Sequence, residues 1–448
     1  MSNTSRYIEI RPDNIPASGK ISFKNGFPVL SFTISAQNGM LDPSSIRIVG
    51  DFAAYKDNAT TPTRLVDGDG VSMNNRLGIY NVIESVTIRA ARSKMICESI
   101  RSYSKFMNTY LAVTSSLQDQ LGHLSQTCLI QPNVEAFRKS VMENASNKVT
   151  QTNPFSFHIP CGFCQSGNLV NLREDAFGGV QIEFQLQPDS NVLYKRDGTT
   201  TGIGDAHYEL SNLKLTCEIS DIPDSELVNG ESQGVYEYNT ITSLYTSINS
   251  TNAQIQYSLG LSNVISAFMT FMPVSHINTL TADGMATTYP SGNGVSSTAL
   301  APIRRVQFLK GGVKYPADFD YVNNIIDTNN TATEMPDPEI VKNLVKAVHP
   351  DSTMSMMRMA TSVANMNRDY SLATDTGETS YASLPEGGAI MGLGVKYGIG
   401  EAGEDFSQQQ WGVSIESDLK SDNPQGVFIF IKSRAQLLYS PTGVQLRQ

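Results

Sequence analysis

Apolar and polar residues alternate with a period of two along much of this chain, the spacing of strands that bury one face and wet the other. From Val180 to Gln187 every second side chain is apolar and each one between is Gln or Glu. Leu213, Leu215, Cys217 and Ile219 keep the same period, as do Ile255, Tyr257 and Leu259, and Trp411, Val413 and Ile415. Ile46 with Ile48, and Val86 with Ile88, predict two further strands. Val427 to Ile431 is apolar at every position, which predicts a strand covered on both faces, between its sheet and a partner surface. Lys310-Gly-Gly-Val313 lies between Val306-Gln-Phe308 and Tyr315-Pro316 and predicts a hairpin whose glycines supply positive φ. Asn25-Gly26, Asn38-Gly39 and Asp42-Pro43 punctuate the first strands.

Helical spacing is rare. Between Cys97 and Leu121 the residues Ile100, Tyr103, Met107, Tyr110, Leu111, Thr114, Leu117 and Leu121 recur every three or four positions, predicting one amphipathic helix, continuous or interrupted. A second is better marked: Asp337 as N-cap, Pro338 at the first helical position, a stripe of Ile340, Val341, Leu344, Val345 and Val348, and Pro350 as the stop. Met354 to Met366 predicts a third, Met-rich helix, whose methionines suit an adaptable packing surface better than a cofactor box.

The polar segment Ser220 to Gly234 divides the chain nearly in half, predicting units 1–222 and 223–448. Each half opens with strands, holds its best helix in the middle and returns to strands, and a Gly-Gly pair, Gly178-Gly179 or Gly387-Gly388, precedes a late strand in both. Eight or so strands per half, with helices confined to connections, predict an all-β chain of two tandem β-sandwiches. Eight-stranded jelly rolls suit this outline because packed double sheets leave few strand edges unpaired. Alternation alone does not separate them from immunoglobulin-like sandwiches.

Composition agrees. The 448 residues leave room for two large domains or three small ones, and charged residues are 17%, below the usual quarter. The net charge of −10 argues against tight binding to nucleic acid, where basic side chains must displace counterions from phosphates. The stretch Arg6 to Lys24 is at most a weakly basic arm, its four cations set against Glu9 and Asp13. Five cysteines at irregular spacing do not suggest a disulfide framework. No signal-peptide pattern is expected at the start, and no segment approaches the roughly 18 apolar residues of a membrane span. Without an export signal the sequons at Asn58 and Asn249 carry little weight, and a soluble protein made in a reducing compartment is expected.

Three stretches narrow the choice of sandwich. Phe155-Ser-Phe-His-Ile-Pro-Cys-Gly-Phe-Cys164 is followed by Leu172-Arg-Glu-Asp-Ala-Phe-Gly-Gly-Val-Gln-Ile-Glu-Phe-Gln-Leu186 and then by His207-Tyr-Glu-Leu-Ser-Asn-Leu-Lys-Leu-Thr-Cys-Glu-Ile219. This order resembles the end of the first jelly roll in double jelly-roll major capsid proteins of polinton-like viruses and virophages. Ile303 to Pro316 resembles the strand-hairpin element of their second half. The likeness is a series of short patterns over most of the chain; Asn278 to Leu300 and the Met-rich stretch match none of them. The resemblance implies a homotrimer whose six sandwiches form a pseudo-hexagonal capsomer of an icosahedral double-stranded DNA virus. It further implies contacts with neighbouring capsomers and with minor capsid or penton proteins, and a location in the virion after synthesis in the host cytoplasm or a virus factory. Asn278 to Leu300, rich in Thr, Ser and Gly, is then a candidate exterior loop, or equally a surface excursion with no partner.

Patterns that could carry chemistry are weak. Cys161-Gly-Phe-Cys164 has metal-knuckle spacing with His158 nearby, but a zinc site needs a second pair. Gly398-Ile-Gly-Glu-Ala-Gly403 spells a dinucleotide fingerprint without the following helix. Asp67-Gly-Asp-Gly70 lacks the later ligands of a calcium loop. His123, His158, His207, His276 and His349 are scattered, and Glu401, Glu404 and Asp405 suit a solvated turn. No catalytic, cofactor-binding or metal site is assigned, no cofactor is expected, and a non-enzymatic role follows. The competing readings are a two-domain carbohydrate-binding or attachment protein, which wants exposed aromatic platforms, and a glycan-processing enzyme, which wants paired carboxylates. A minor capsid or spike protein would usually carry one jelly roll.

Overall fold

The computed structural model describes residues 5–57, 62–65, 69, 71–115, 119, 122–131, 141, 152–195, 206–221, 233–278, 289–290, 303–316, 321–322, 338–349, 389–390, 392–398, 402–417 and 424–448. The principal strands of the first half are β1 (Ser5–Ile10), β2 (Val29–Ile34), β3 (Met40–Lys56), β4 (Ile83–Ala90), β5 (Ile96–Arg101), β6 (Asn153–His158), β7 (Val180–Leu186) and β8 (Ala206–Ser220). Those of the second are β9 (Gly234–Ile248), β10 (Asn252–Tyr257), β11 (Val264–Pro273), β12 (Ile303–Lys310), β13 (Tyr321–Val322), β14 (Leu393–Lys396), β15 (Trp411–Ser417) and β16 (Gln425–Ser440). All pair antiparallel. The first half forms sheets of order β1-β8-β3-β6 and β2-β7-β4-β5. The second forms β9-β16-β11-β14 and β10-β15-β12-β13. Each half therefore arranges its eight strands by one rule: the first lies beside the eighth, the third beside the sixth, the second beside the seventh and the fourth beside the fifth. Among the described residues no strand pairs with a strand of the other half.

The alternating segments became strands because each offers one apolar row to the opposing sheet. Val180, Ile182, Phe184 and Leu186 of β7 are buried, and the Phe184 ring meets Phe32 of its own sheet at 6.4 Å and Phe157 of the facing sheet at 6.3 Å, both edge-on. In the second half the single tryptophan, Trp411, is fully buried, and its indole N–H donates to the Tyr397 hydroxyl at 2.8 Å. That satisfies the one polar group of a ring otherwise packed in the core, and it removes the tryptophan as an exposed sugar platform. The Gly311-Gly312 pair closes a two-residue hairpin between Lys310 and Val313 with φ of +58° and +80°, the left-handed region a tight loop of this twist requires.

Three expectations need correction or limits. The helix predicted from Cys97 is shorter and starts later. Ile96–Arg101 is a strand that pairs with β4, and α1 spans Tyr103–Thr114. Cys97 and Ile100 satisfy helical spacing, but the open edge of β4 gives their backbone a ladder, and Ser102 at φ +51° breaks the run before the helix. A short helix, α2, follows at His123–Cys128. The Asp42-Pro43 turn does not end a strand. It lies inside β3 as a bulge, where the partner of Thr216 is Arg47 and that of Glu218 is Asp42. The Asp42 carboxylate accepts the Ser44 N–H at 2.9 Å, and Ser45 Oγ accepts the Glu218 N–H at 2.8 Å, so the extra residues keep their polar partners. The better-marked helix, α3, spans Pro338–Val348, with Leu344, Val345, Ala347 and Val348 buried against β11 and β14. Asp337, Pro350, the Met354 to Met366 stretch, Gly387-Gly388 and, apart from Asn278 and the short strand Tyr289–Pro290, the 278–300 segment lie outside the described residues. No helix among the described residues is long and apolar enough to cross a membrane.

Phe184→Ala should lower stability by about 3–5 kcal/mol, since it removes a ring that bridges both sheets. Gln185→Ala, on the exposed face of the same strand, should change it by less than about 0.5 kcal/mol. The midpoint of urea unfolding measures both, and equal shifts would contradict the facing assigned to β7.

Candidate functional site

The most heavily built feature is the seam between the two sandwiches. Its floor is aromatic. β16 is buried at every position from Gln425 to Ile431, as the unbroken apolar run predicts, because its outer face is covered by the first half. Phe106 of α1 meets Phe430 at 5.6 Å and Phe268 at 6.0 Å. The helix is held in turn by the Tyr103 hydroxyl, which donates to the Pro160 carbonyl at 3.1 Å.

At the centre of the seam lies Glu98, on β5. Its side chain is buried, and its carboxylate accepts three backbone N–H groups: Phe163 at 2.8 Å, Gly162 at 3.2 Å and, from the second half, Ile241 at 3.0 Å. The Thr240 hydroxyl lies 3.5 Å away. Burial pushes the Glu98 carboxyl above its ordinary range, and the three N–H donors offset only part of that rise. Only glycine fits at 162, because a Cβ there would sit 1.9 Å from the Asn239 carbonyl oxygen. Around this centre the Tyr236 hydroxyl donates to the Phe163 carbonyl at 2.6 Å and the Tyr238 hydroxyl to that of Cys97, while Asn168 Nδ2 donates to the Glu237 carbonyl at 2.9 Å. Beside the seam opens a cleft of about 690 Å³ whose lining includes Tyr110, Gln165, Glu237 and Arg434. The arrangement is one of fixation: apolar area, tyrosines and one carboxylate hold two sandwiches at a set relation.

Three solved structures share this architecture. The chain aligns over 100% of its length with a chain of the PBCV-1 virus capsid, covering 97% of that chain at a TM-score of 0.56 and 10% identity. With the Faustovirus major capsid protein 98% of this chain and 91% of the other superpose at 0.55 and 10% identity. With a chain of the Sputnik virophage the coverage is 100% and 89%, at 0.51 and 10% identity. The fold is the double jelly roll. No protein-family model matches the chain, and no curated protein matches it by sequence.

Within this double jelly roll the patterns singled out in the sequence fall in separate places. Cys161 and Cys164 are buried in the seam, where the Cys164 N–H meets Cys161 Sγ at 3.4 Å and burial pushes the Cys161 thiol well above its ordinary range. His158 lies on the exposed side of β6, and no three His, Cys, Asp or Glu side chains converge on a metal position among the described residues. Gly398 makes a tight turn at φ +67°, and among the described residues the next named element is the strand β15; residues 399–401 lie outside them. Glu404 bonds Lys310 at 3.0 Å and the Tyr315 hydroxyl, whereas Asp405 accepts the Ser407 N–H at 2.8 Å, so each carboxylate has its own partner. Asp67 is outside the described residues, and Asp69 bonds Lys56 at 2.9 Å. His123 opens α2, His276 lies in a 3-10 turn after β11, and the His349 ring lies 5.8 Å from Tyr110.

His207 belongs to a cluster that sequence reasoning missed. Its buried imidazole contacts Asp57 at 2.9 Å through Nδ1 and Glu209 at 3.6 Å through Nε2, and stacks on Tyr55 at 5.3 Å. Lys24 bonds Asp57 at 2.5 Å and Lys20 bonds Glu209 at 2.8 Å, so the connection between β1 and β2 is pinned to β8 and to the end of β3. Period two places His207 and Glu209 on one face, but nothing local names Asp57 or Lys24 as partners. Burial alone would lower the His207 pKa; the bonds to Glu209 and Asp57 outweigh it and raise the value above 6.5. Burial likewise works against the charge of Glu209, but His207 and Lys20 hold its pKa down at about 2. Nearby, burial raises Asp189 to about 6.

Two outcomes follow. Glu98→Ala should cost about 3 kcal/mol or more, because it leaves buried N–H groups on both sandwiches without an acceptor. Hydrogen exchange at residues 162, 163 and 241 should then accelerate together; unchanged protection at Ile241 would remove Glu98 from the seam. The stabilisation by His207 is complete below pH 6.5 and is lost as pH rises through its higher folded value. That by Glu209 is complete above pH 4.5 and is lost as pH falls toward 2. The urea midpoints of the wild type and His207→Gln should therefore differ most between about pH 4.5 and 6.5 and converge on the alkaline side. A gap independent of pH would contradict the charged pairing.

Proposed function

We propose that this chain is a major capsid protein, a structural and non-catalytic component of the virion of an icosahedral double-stranded DNA virus. The observation that carries the reading is the same eight-strand order laid down twice in one chain and locked across a buried seam. The likeness in fold to chains of the PBCV-1 virus capsid, Faustovirus and the Sputnik virophage supports it. The two jelly rolls are units 1–222 and 223–448. In support, β8 ends at Ser220, β9 starts at Gly234, and the described strands pair only within their own half.

Three chains then present six sandwiches around one axis, a pseudo-hexagonal tile able to cover a facet. Such a tile needs two sandwiches that do not swing against each other, and the Glu98 seam supplies that stiffness. Lateral contacts join it to neighbouring capsomers and to minor capsid or penton proteins. The net charge of −10 favours a shell that does not bind nucleic acid tightly. Synthesis in the host cytoplasm or a virus factory is consistent with the free cysteines found in the described residues.

The solution mass of the purified protein, with negative-stain images, tests the proposal. A particle of three chains with a hexagonal outline is expected. A monodisperse monomer that binds glycans would overturn it in favour of a two-domain carbohydrate-binding protein.

A further inference from the structure

Two of the five thiols lie together at the seam. Cys161 and Cys164 bracket the turn whose Gly162 and Phe163 N–H groups reach Glu98. The turn is helical: the Gln165 N–H donates to the Cys161 carbonyl at 3.1 Å and to that of Gly162 at 3.3 Å. Cys161 stands where a helix N-cap stands, and its Sγ accepts the Cys164 N–H at 3.4 Å. One helical turn sets Cα atoms three residues apart at about 5 Å. That falls inside the roughly 4.4–6.8 Å that a disulfide spans without moving the backbone. The two thiols are close enough to bond one another.

The remaining thiols are placed otherwise. Cys97 donates to the Met95 carbonyl at 3.7 Å, Cys128 lies 4.0 Å from the Tyr80 hydroxyl, and Cys217 is buried in the core of the first sandwich. Access also differs within the pair. Cys161 is 1% exposed and Cys164 5%, and it is Cys164, with Gly162, that lines the cleft of about 690 Å³ beside the seam. A small oxidant entering the cleft therefore meets Cys164 first. Burial pushes the Cys161 thiol well above its ordinary range, which makes it a poor nucleophile toward solutes. A partner held one helical turn away is a different target, because it is presented at a high effective concentration.

We infer that Cys161 and Cys164 are a redox-modification site: a peroxide admitted by the cleft closes them into a disulfide that fastens the turn holding Glu98. The Cys164 sulfur attacks the O–O bond of hydrogen peroxide and becomes a sulfenic acid, releasing one water. The Cys161 sulfur then displaces hydroxide from it. The S–S bond forms, the S–O bond breaks, and the hydroxide leaves as water with the Cys161 thiol proton. Two thiols and one hydrogen peroxide give one disulfide and two waters. A chain kept in a reducing compartment retains both thiols, and a chain carried into oxidising surroundings acquires the bridge. The capsid reading supplies that passage; the chemistry itself depends only on the turn and the cleft.

The test treats the purified, undenatured protein with one equivalent of hydrogen peroxide and alkylates the remaining thiols in denaturant. Mass spectrometry then reads the tryptic peptide between Lys148 and Arg173, which holds both cysteines. Untreated, that peptide should carry two alkyl groups. Treated, it should carry none and be two hydrogens lighter than the dithiol form, while Cys97, Cys128 and Cys217 are still alkylated. Cys161→Ser should stop at a sulfenic acid on Cys164, trapped by dimedone, with no bridge. In the bridged wild type, amide exchange at Gly162 and Phe163 should slow at least about threefold. A treated protein that keeps both cysteines alkylated, or that oxidises Cys97, Cys128 or Cys217 before this pair, overturns the inference. A bridge that leaves exchange at Gly162 and Phe163 unchanged overturns the fastening of the turn. None of these results alters the solution mass or hexagonal outline on which the capsomer reading is judged.

Discussion

A carboxyl group taken out of water between two packed sandwiches loses hydration worth several kcal/mol, and donors must surround it to offset that loss. Glu98 meets that condition with N–H groups from Gly162 and Phe163 on its own half and from Ile241 on the other. The same constraint fixes position. The donors are backbone groups, so the first residues of β5, the turn at Gly162 and the middle of β9 must all lie where one side chain can reach them. A shift of an ångström between the halves would leave a buried carboxyl oxygen or a buried N–H unmet. The Phe106–Phe430 and Phe106–Phe268 contacts add area and little direction; the carboxylate adds the direction.

This division of labour explains why the second half carries a strand apolar on both faces. Val427 to Ile431 would be an aggregation hazard on a free sheet. Here it is the middle of a sheet on one side and the floor of the seam on the other. Its counterpart β8 keeps polar side chains outward. Two sandwiches with one topology thus present different outer chemistry, according to whether a face is covered during folding or left to water.

The His207 cluster holds the first sandwich by another route. There the cations of the β1–β2 connection, Lys20 and Lys24, clamp onto carboxylates at the ends of β8 and β3, with the His207 imidazole between them. Opposite charges at close range around the buried imidazole hold this connection in place. The link is sensitive to protons through His207 and Glu209.

The alternating runs, the Gly311-Gly312 hairpin, α3 and the doubly apolar strand were legible in the chain itself, because each depends on neighbours two to four residues away. The resemblance of the segments from Phe155 to Ile219 to those of double jelly-roll proteins added the kind of sandwich. What lay beyond reach depended on distant partners. Cys97 to Arg101 became a strand because β4 had an open edge beside it. Asp42-Pro43 became a bulge because β8 ran on past it. Glu98 looked like one polar residue among many until Ile241 came within 3.0 Å from the other half. Periodicity reports which face of an element is buried; which element buries it, and which charge is met there, is decided only when chain segments far apart in sequence are brought together.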